Sequence, residues 1–423
     1  MEIFILYGNA FLWATCLLYW IRRKGIYNVG VFIFLIYAMI SIDSCHLFLN
    51  PETNSYYERY LFILPFLYLF VVIFILLKPL LKIEYSEITE IKLPSLKVIN
   101  PICVFIIIST IYQLIIGWED INRGFSLMLV DSSNAIDLYI DHTEAGMTKR
   151  SFSGSMNILG AISSTGLNFS MLFFFLYLLY PNTNKKILLG MILAVFLIPV
   201  MSAASGSREK VITSLLMFIL MYLFLRPFIS VKKRKVIFEV SFSSFVFLLS
   251  FFIIVSFARA RGDIEKILYD FEQYFAMSFL KFDQKCFYVD GTREGNLVSP
   301  LLNVIFGGQT YSQEALRAKY STMGIDNSVF YTFVGDFTLD YGPILAFVIL
   351  LSFAFFCRRL YKIKIWSVGQ IVLGFILLKL LSGFYLHQFP GIGGNLFLVE
   401  LFVLYYLFSN NVIPSYTIKI NEQ

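Results

Sequence analysis

The sequence predicts an all-α, polytopic transmembrane helical bundle, and three observations carry that reading. First, 58% of the 423 residues are hydrophobic and only 15% are charged, more apolar surface than a soluble core of this length can hide, so the excess must face lipid. Second, uncharged or nearly uncharged runs such as Ile3–Ile21 and Val98–Gly117 approach or exceed the ~18 residues that a helix needs to cross roughly 30 Å of hydrocarbon. Third, these runs lack the period-two alternation of an outer-membrane barrel, and in lipid only helices and closed barrels satisfy every backbone N–H and C=O.

Taken in order, spans are predicted over Ile3–Ile21, Tyr27–Ile42, Tyr60–Leu77, Val98–Gly117, Asn157–Tyr180, Ile187–Ala203, Val211–Leu225, Val236–Ser256, Val329–Cys357, Trp366–Gly383 and Leu396–Phe408, about eleven in all. The first run has Glu2 before it and Arg22, Arg23 and Lys24 after it, the reverse of a secretory signal, which places its positive charge first. It is expected to be a retained span with its N-terminus outside. Alternating from there, the inward segments carry nineteen lysines and arginines against four acids, Glu84, Glu87, Glu90 and Glu422. The positive-inside rule therefore supports an N-out, C-in topology. The net charge of +6 is a topology signal on this reading, and no nucleic-acid partner is expected.

No repeat, low-complexity tract or long linker separates domains, so residues 1–423 are expected to form one membrane domain. Two outward segments are long, Trp118–Met156 and the loop 257–328, and long ordered loops tend to carry function. The second opens Arg259-Ala260-Arg261-Gly262 and continues with Ile264, Ile267, Leu268, Phe271, Phe275 and Phe279 at helical spacing. That stripe predicts an amphipathic helix, either lying along the outer membrane surface or packed against the bundle. No Walker loop or dinucleotide glycine fingerprint occurs, which argues against kinases and ATP-driven pumps, and no cofactor is expected. Of the five cysteines, Cys16, Cys103 and Cys357 fall within predicted spans; only Cys45 and Cys286 could meet outside, and spacing does not decide whether they do.

Four groups of residues could carry chemistry. Ser205-Gly206-Ser207-Arg208-Glu209-Lys210 lies at the outer end of the sixth span and opens the seventh. A helix N-terminus offers free N–H groups and a positive dipole, so Arg208 and Lys210 there suit a phosphate, or else form an ordinary interfacial turn. Arg259 and Arg261 stand at the outer mouth of the eighth span; two residues apart, they can grip one anion only where the helix has ended, as Gly262 allows. At the entrance to the ninth span, Thr332, Asp336 and Asp340 are spaced by four and share a helical face. Carboxylates near lipid are costly and usually face a cavity, which makes this stripe a site candidate, unless the span starts later and both acids are solvated. His387, in the outward turn Leu386–Asn395, could reach the same cavity. The three histidines have no tight ligand spacing, so no metal is expected. Glu314 and Arg317, three apart in the long loop, either touch substrate or, as the simpler reading has it, form a solvated pair.

The pattern resembles the bacterial oligosaccharide repeat unit polymerases, the O-antigen and capsule polymerases called Wzy. The resemblance rests on many spans with one dominant late outward loop, on Ser205-Gly206-Ser207-Arg208, on Arg259-Ala260-Arg261-Gly262, and on Phe337-Thr338-Leu339-Asp340-Tyr341-Gly342. It implies a metal-independent, GT-C-like membrane glycosyltransferase at the outer face of the bacterial inner membrane. The growing glycan on undecaprenyl diphosphate would be the donor, and one repeat unit on the same lipid the acceptor. Arg208, Lys210, Arg259 and Arg261 would then hold the donor diphosphate, while Asp336, Asp340 or His387 deprotonates the attacking hydroxyl. A flippase that delivers units and a chain-length regulator would be natural partners. An O-antigen ligase shares almost every one of these features and differs in its acceptor. A lipid-linked oligosaccharide flippase or other transporter should instead spread charge through the middle of several spans, and here Lys379 and Glu400 are the main mid-span charges.

Overall fold

The computed structural model describes residues 2–50, 60–130, 155–205, 209–235, 237, 250, 253, 264–308, 313–325, 331–410, 413 and 415–419. In chain order these form α1 (Glu2–Lys24), α2 (Val29–Leu49), α3 (Ile63–Leu81), β1 (Glu90–Pro94), α4 (Leu96–Val130), α5 (Ser155–Asn168), α6 (Ser170–Leu178), α7 (Lys185–Ala204), α8 (Glu209–Leu225) and α9 (Ile264–Lys285). There follow α10 (Pro300–Ile305), α11 (Gln313–Ser321), α12 (Phe333–Phe356), α13 (Arg359–Lys362), β2 (Ile365–Ser367), α14 (Val368–Leu381), α15 (Gly391–Ser409) and β3 (Ser415–Lys419).

The chain is an all-α polytopic membrane protein. Among the described residues eight helices are long and apolar enough to cross a membrane, with Val368–Leu381 a shorter apolar one. The predicted fifth span is built as two helices, α5 and α6, meeting at Phe169. The predicted span Val236–Ser256 lies almost wholly outside the described residues. Helix α4 runs past the predicted end at Gly117 to Val130, so the start of the first long outward segment continues a span.

Two compact units divide the chain, one comprising residues 1–88 and 268–407, the other residues 89–267 and 408–423. In the first, α1, α2 and α3 pack around Trp13, whose ring lies 4.9–5.7 Å from those of Phe34, Tyr37 and Phe70. Asn9 Nδ2 donates to Ser41 Oγ at 2.7 Å within this apolar packing, so both buried polar groups are satisfied. Asn28 caps α2 by accepting from the N–H groups of Gly30 and Val31. The C-terminal half of α9 enters the same core: Phe279 is fully buried and its ring lies 6.1 Å from Trp13 and 6.4 Å from Tyr37. Of the two placements open to this amphipathic helix, its described end takes the one packed against the bundle. Helix α14 is apolar apart from Gln370 and Lys379 and almost wholly buried, and Ser367 with Gln370 forms a capping box at its start.

In the second unit Asn184 caps α7 through the Lys186 N–H, and Tyr180 donates to the Pro94 carbonyl at 2.8 Å. Strands β1 and β3 pair antiparallel, with Glu90 opposite Lys419 and Pro94 opposite Ser415. All five cysteines are free thiols; Cys45 donates to Ser41 O and Cys286 to Gly335 O.

A candidate active site around a buried arginine

The predicted ninth span is two helices in one. Thr332 caps its start, its hydroxyl accepting from the Gly335 N–H at 3.2 Å, and the chain from Phe333 to Asp340 is almost entirely buried. At Gly342 the backbone leaves the helix, with φ 74° and ψ 162°, a region open essentially only to glycine. Pro343 follows, and Tyr68 donates to its carbonyl at 2.7 Å. Beyond the break the helix is apolar and faces outward, with Ile344 82% exposed. The sequence thus makes a short polar helix held inside protein and a longer apolar one suited to lipid.

The polar half-helix turns Asp336 and Asp340 toward Arg293, a residue that helical spacing alone does not single out. Arg293 is 3% exposed, Asp336 4% and Asp340 1%. Arg293 Nε donates to Asp340 Oδ1 at 2.7 Å, and Nη2 to Asp336 Oδ1 at 3.1 Å and to the Asp336 carbonyl at 2.9 Å. The other Asp340 oxygen accepts the N–H groups of Leu297 (3.0 Å) and Val298 (2.6 Å), and Asp336 Oδ2 accepts the His387 N–H at 2.8 Å. Every oxygen of both carboxylates is therefore engaged. The loop before α10, the polar half-helix and the turn after α14 are tied together at one ionic centre.

Further contacts fix each segment. The Arg293 N–H donates to Leu339 O at 2.7 Å, and its carbonyl accepts from Tyr320 Oη and Asn296 Nδ2. Asn395 Nδ2 bridges Val298 O and Phe389 O at 2.8 and 3.1 Å, and Phe333 N–H donates to Gly383 O at 2.8 Å. Burial by itself would lower the Arg293 pKa, but Asp340 and Asp336 outweigh it and raise it, so the guanidinium stays charged.

His387 is 3% exposed, and neither ring nitrogen has a hydrogen-bond partner. Phe337 meets its ring edge-on at 5.3 Å, and Phe389 lies tilted against it at 5.9 Å. Burial, together with the Arg293 and Lys379 cations, pushes its pKa down to about 3, so the imidazole is neutral. The Lys379 ammonium sits over the rings of Phe389 and Phe397, at 5.1 and 4.6 Å. The centre thus combines one spare imidazole, a lysine against aromatic rings, and a fully occupied arginine–aspartate clamp. Such a place can hold an anion or take a proton from a hydroxyl.

Asp336, Asp340 and His387 are brought together here. Lys210 belongs to the other unit, exposed in the first turn of α8. Arg208, Arg259 and Arg261 lie outside the described residues, as does His142. The side chains of Glu314 and Arg317 are likewise outside what is described, although their backbone forms part of α11. His46 pairs with Glu272 at 3.0 Å. Arg293 pairs with residues 43 and 47 positions away, so no local spacing marks it. The one local signal is its setting in Gly291-Thr292-Arg293-Glu294-Gly295, where Glu294 and Gly295 take positive φ and turn the loop back.

No curated protein and no solved structure matches the chain. The family model described as O-antigen polysaccharide polymerase Wzy matches residues 136–335, just under half of the chain. The matched stretch takes in Arg208, Lys210, Arg259, Arg261 and Arg293, and stops one residue before Asp336. Together with the many-spanning helical fold, this match supports the Wzy family of O-antigen polysaccharide polymerases as the family of this chain.

Proposed function

We propose that this polymerase transfers the growing glycan from undecaprenyl diphosphate to the non-reducing-end hydroxyl of an incoming lipid-linked repeat unit, at the outer face of the bacterial inner membrane and without a metal ion. The acceptor oxygen attacks the anomeric carbon, the bond from that carbon to the diphosphate oxygen breaks, and undecaprenyl diphosphate departs carrying the electron pair. A base removes the hydroxyl proton, and cations offset the charge that grows on the leaving group. Arg208, Lys210, Arg259 and Arg261 are assigned to the diphosphate. A flippase supplying the units and a chain-length regulator would act beside it.

The observation that carries the assignment of the base is the contrast between the three candidates. Asp336 and Asp340 have no oxygen free of a donor, whereas both His387 nitrogens are unpartnered. On this reading the two aspartates position Arg293 and the turn, and His387 accepts the proton. Its depressed pKa keeps the imidazole neutral at rest but makes it a weak base, so on this reading a diphosphate binding nearby raises its pKa as the hydroxyl is attacked.

Purified protein is incubated with its lipid-diphosphate-linked repeat unit, alone or with a core-lipid acceptor, and once with the non-reducing-end hydroxyl blocked by a methyl group. The proposal predicts a glycan ladder from the unblocked unit alone, none from the blocked unit, and the same ladder in the presence of EDTA. Transfer only when the core lipid is present would identify a ligase, and a ladder abolished by EDTA would overturn the metal-free chemistry.

A further inference from the structure

The second unit contains a crevice of about 480 Å³ whose lining is part polar and part apolar. Its polar lining is Asn182, Thr183, Lys185, Lys232 and Lys233, at the start of α7 and beyond α8, and its apolar lining includes Phe174, Leu188, Ile192, Phe196 and Phe218. Lys185 and Lys232 are exposed and form no ion pair among the described residues. Lys233 is already used: its ammonium donates to the carbonyls of Leu178 and Tyr180 at the end of α6. The first turn of α7 belongs to the polar part, adding backbone N–H groups and a positive dipole. The charge pattern of the sequence puts this part on the inward side of the membrane.

We propose that the crevice binds one anionic phospholipid, its phosphate between Lys185, Lys232 and the first turn of α7, and an acyl chain against Phe174, Phe196 and Phe218. Free phosphate would leave the aromatic wall without a partner. A zwitterionic headgroup would bring its own cation against the lysines. The proposal stands apart from the transferase reading: it uses none of the residues assigned to the diphosphate or to the base, and it concerns an inward-facing surface.

The full-length protein in detergent is titrated with phosphatidylglycerol, phosphatidylcholine or inorganic phosphate, and bound molecules are counted by native mass spectrometry. Lys185→Ala/Lys232→Ala is expected to weaken phosphatidylglycerol retention about twenty-five-fold, since each cation near an anionic headgroup contributes a factor of about five. Leu188→Trp, which fills the apolar wall and leaves the charges in place, should weaken it as well. Arg22→Ala/Lys362→Ala, removing two exposed inward cations elsewhere, should leave it unchanged. Equal retention by wild type and both crevice variants, equal retention of phosphatidylcholine, or a loss matched by the Arg22/Lys362 control would overturn the proposal. The melting temperature of each variant identifies any loss that comes from misfolding, and Leu188→Trp then stands as an independent test should the lysine variant fold poorly.

Discussion

Replacing Arg293 by methionine keeps most of the aliphatic bulk and removes the guanidinium from between two carboxylates that are themselves buried. The three hydrogen bonds to Asp340 and Asp336 disappear, at 2.7, 2.9 and 3.1 Å, and both carboxylates lose the guanidinium between them. Removing one partner of a buried ion pair costs about 3–5 kcal/mol, because the remaining charge is stranded away from water. At roughly 1.4 kcal/mol per factor of ten, that is about two to three and a half orders of magnitude in the folding equilibrium. For a cooperative unit of this size it corresponds to a fall of roughly 6–20 °C in melting temperature. Arg293→Lys should lie between the two, since one ammonium cannot reproduce the fork that reaches both aspartates. The informative partner is Arg293→Met/Asp336→Asn/Asp340→Asn. Each asparagine keeps an oxygen for the backbone N–H groups of His387, Leu297 and Val298 while the buried charge is gone, so at least half of the lost stability should return. The assay is thermal unfolding in detergent, followed by tryptophan fluorescence and by circular dichroism. A single variant that melts with wild type, or a triple variant no more stable than the single, would refute the clamp.

Two other perturbations follow from the same centre. With its folded pKa near 3 against an ordinary value of 6.5, His387 binds fewer protons folded than unfolded, so its contribution is present above about pH 6.5 and is lost as pH falls toward 3. Acid melting curves should flatten over that window in His387→Gln, and an unchanged slope would show that this imidazole is not buried neutral. Gly342→Ala should cost about 1–3 kcal/mol through backbone strain alone, because an added Cβ would meet nothing nearer than Thr292 Cγ2 at 3.9 Å; a variant melting at or above wild type would show that the helix does not break there.

Local chemistry made much of the fold legible. Long apolar runs mark the spans, Asn28 and Asn184 mark helix starts, and the four-residue spacing of Asp336 and Asp340 puts both on the face that meets Arg293. The proximity of His387 to that stripe also followed from the order of spans and loops. The clamp itself did not, because the contacts of Arg293 join segments more than forty residues apart, and helical spacing carries no information about such pairs. The division of the predicted fifth and ninth spans was hidden for a different reason. Hydropathy reports how apolar a segment is, whereas the break at Gly342 depends on one backbone conformation, for which the Gly342-Pro343 pair is the local signal.

The most direct test compares wild type with His387→Asn, each matched for melting temperature, on a glycan ladder grown from the purified lipid-diphosphate-linked repeat unit across pH 5 to 9. A ladder from wild type, with extension lost in the variant by at least the roughly hundredfold that a general base contributes, is the predicted result. A folded variant that extends glycan as fast as wild type at every pH would contradict the account.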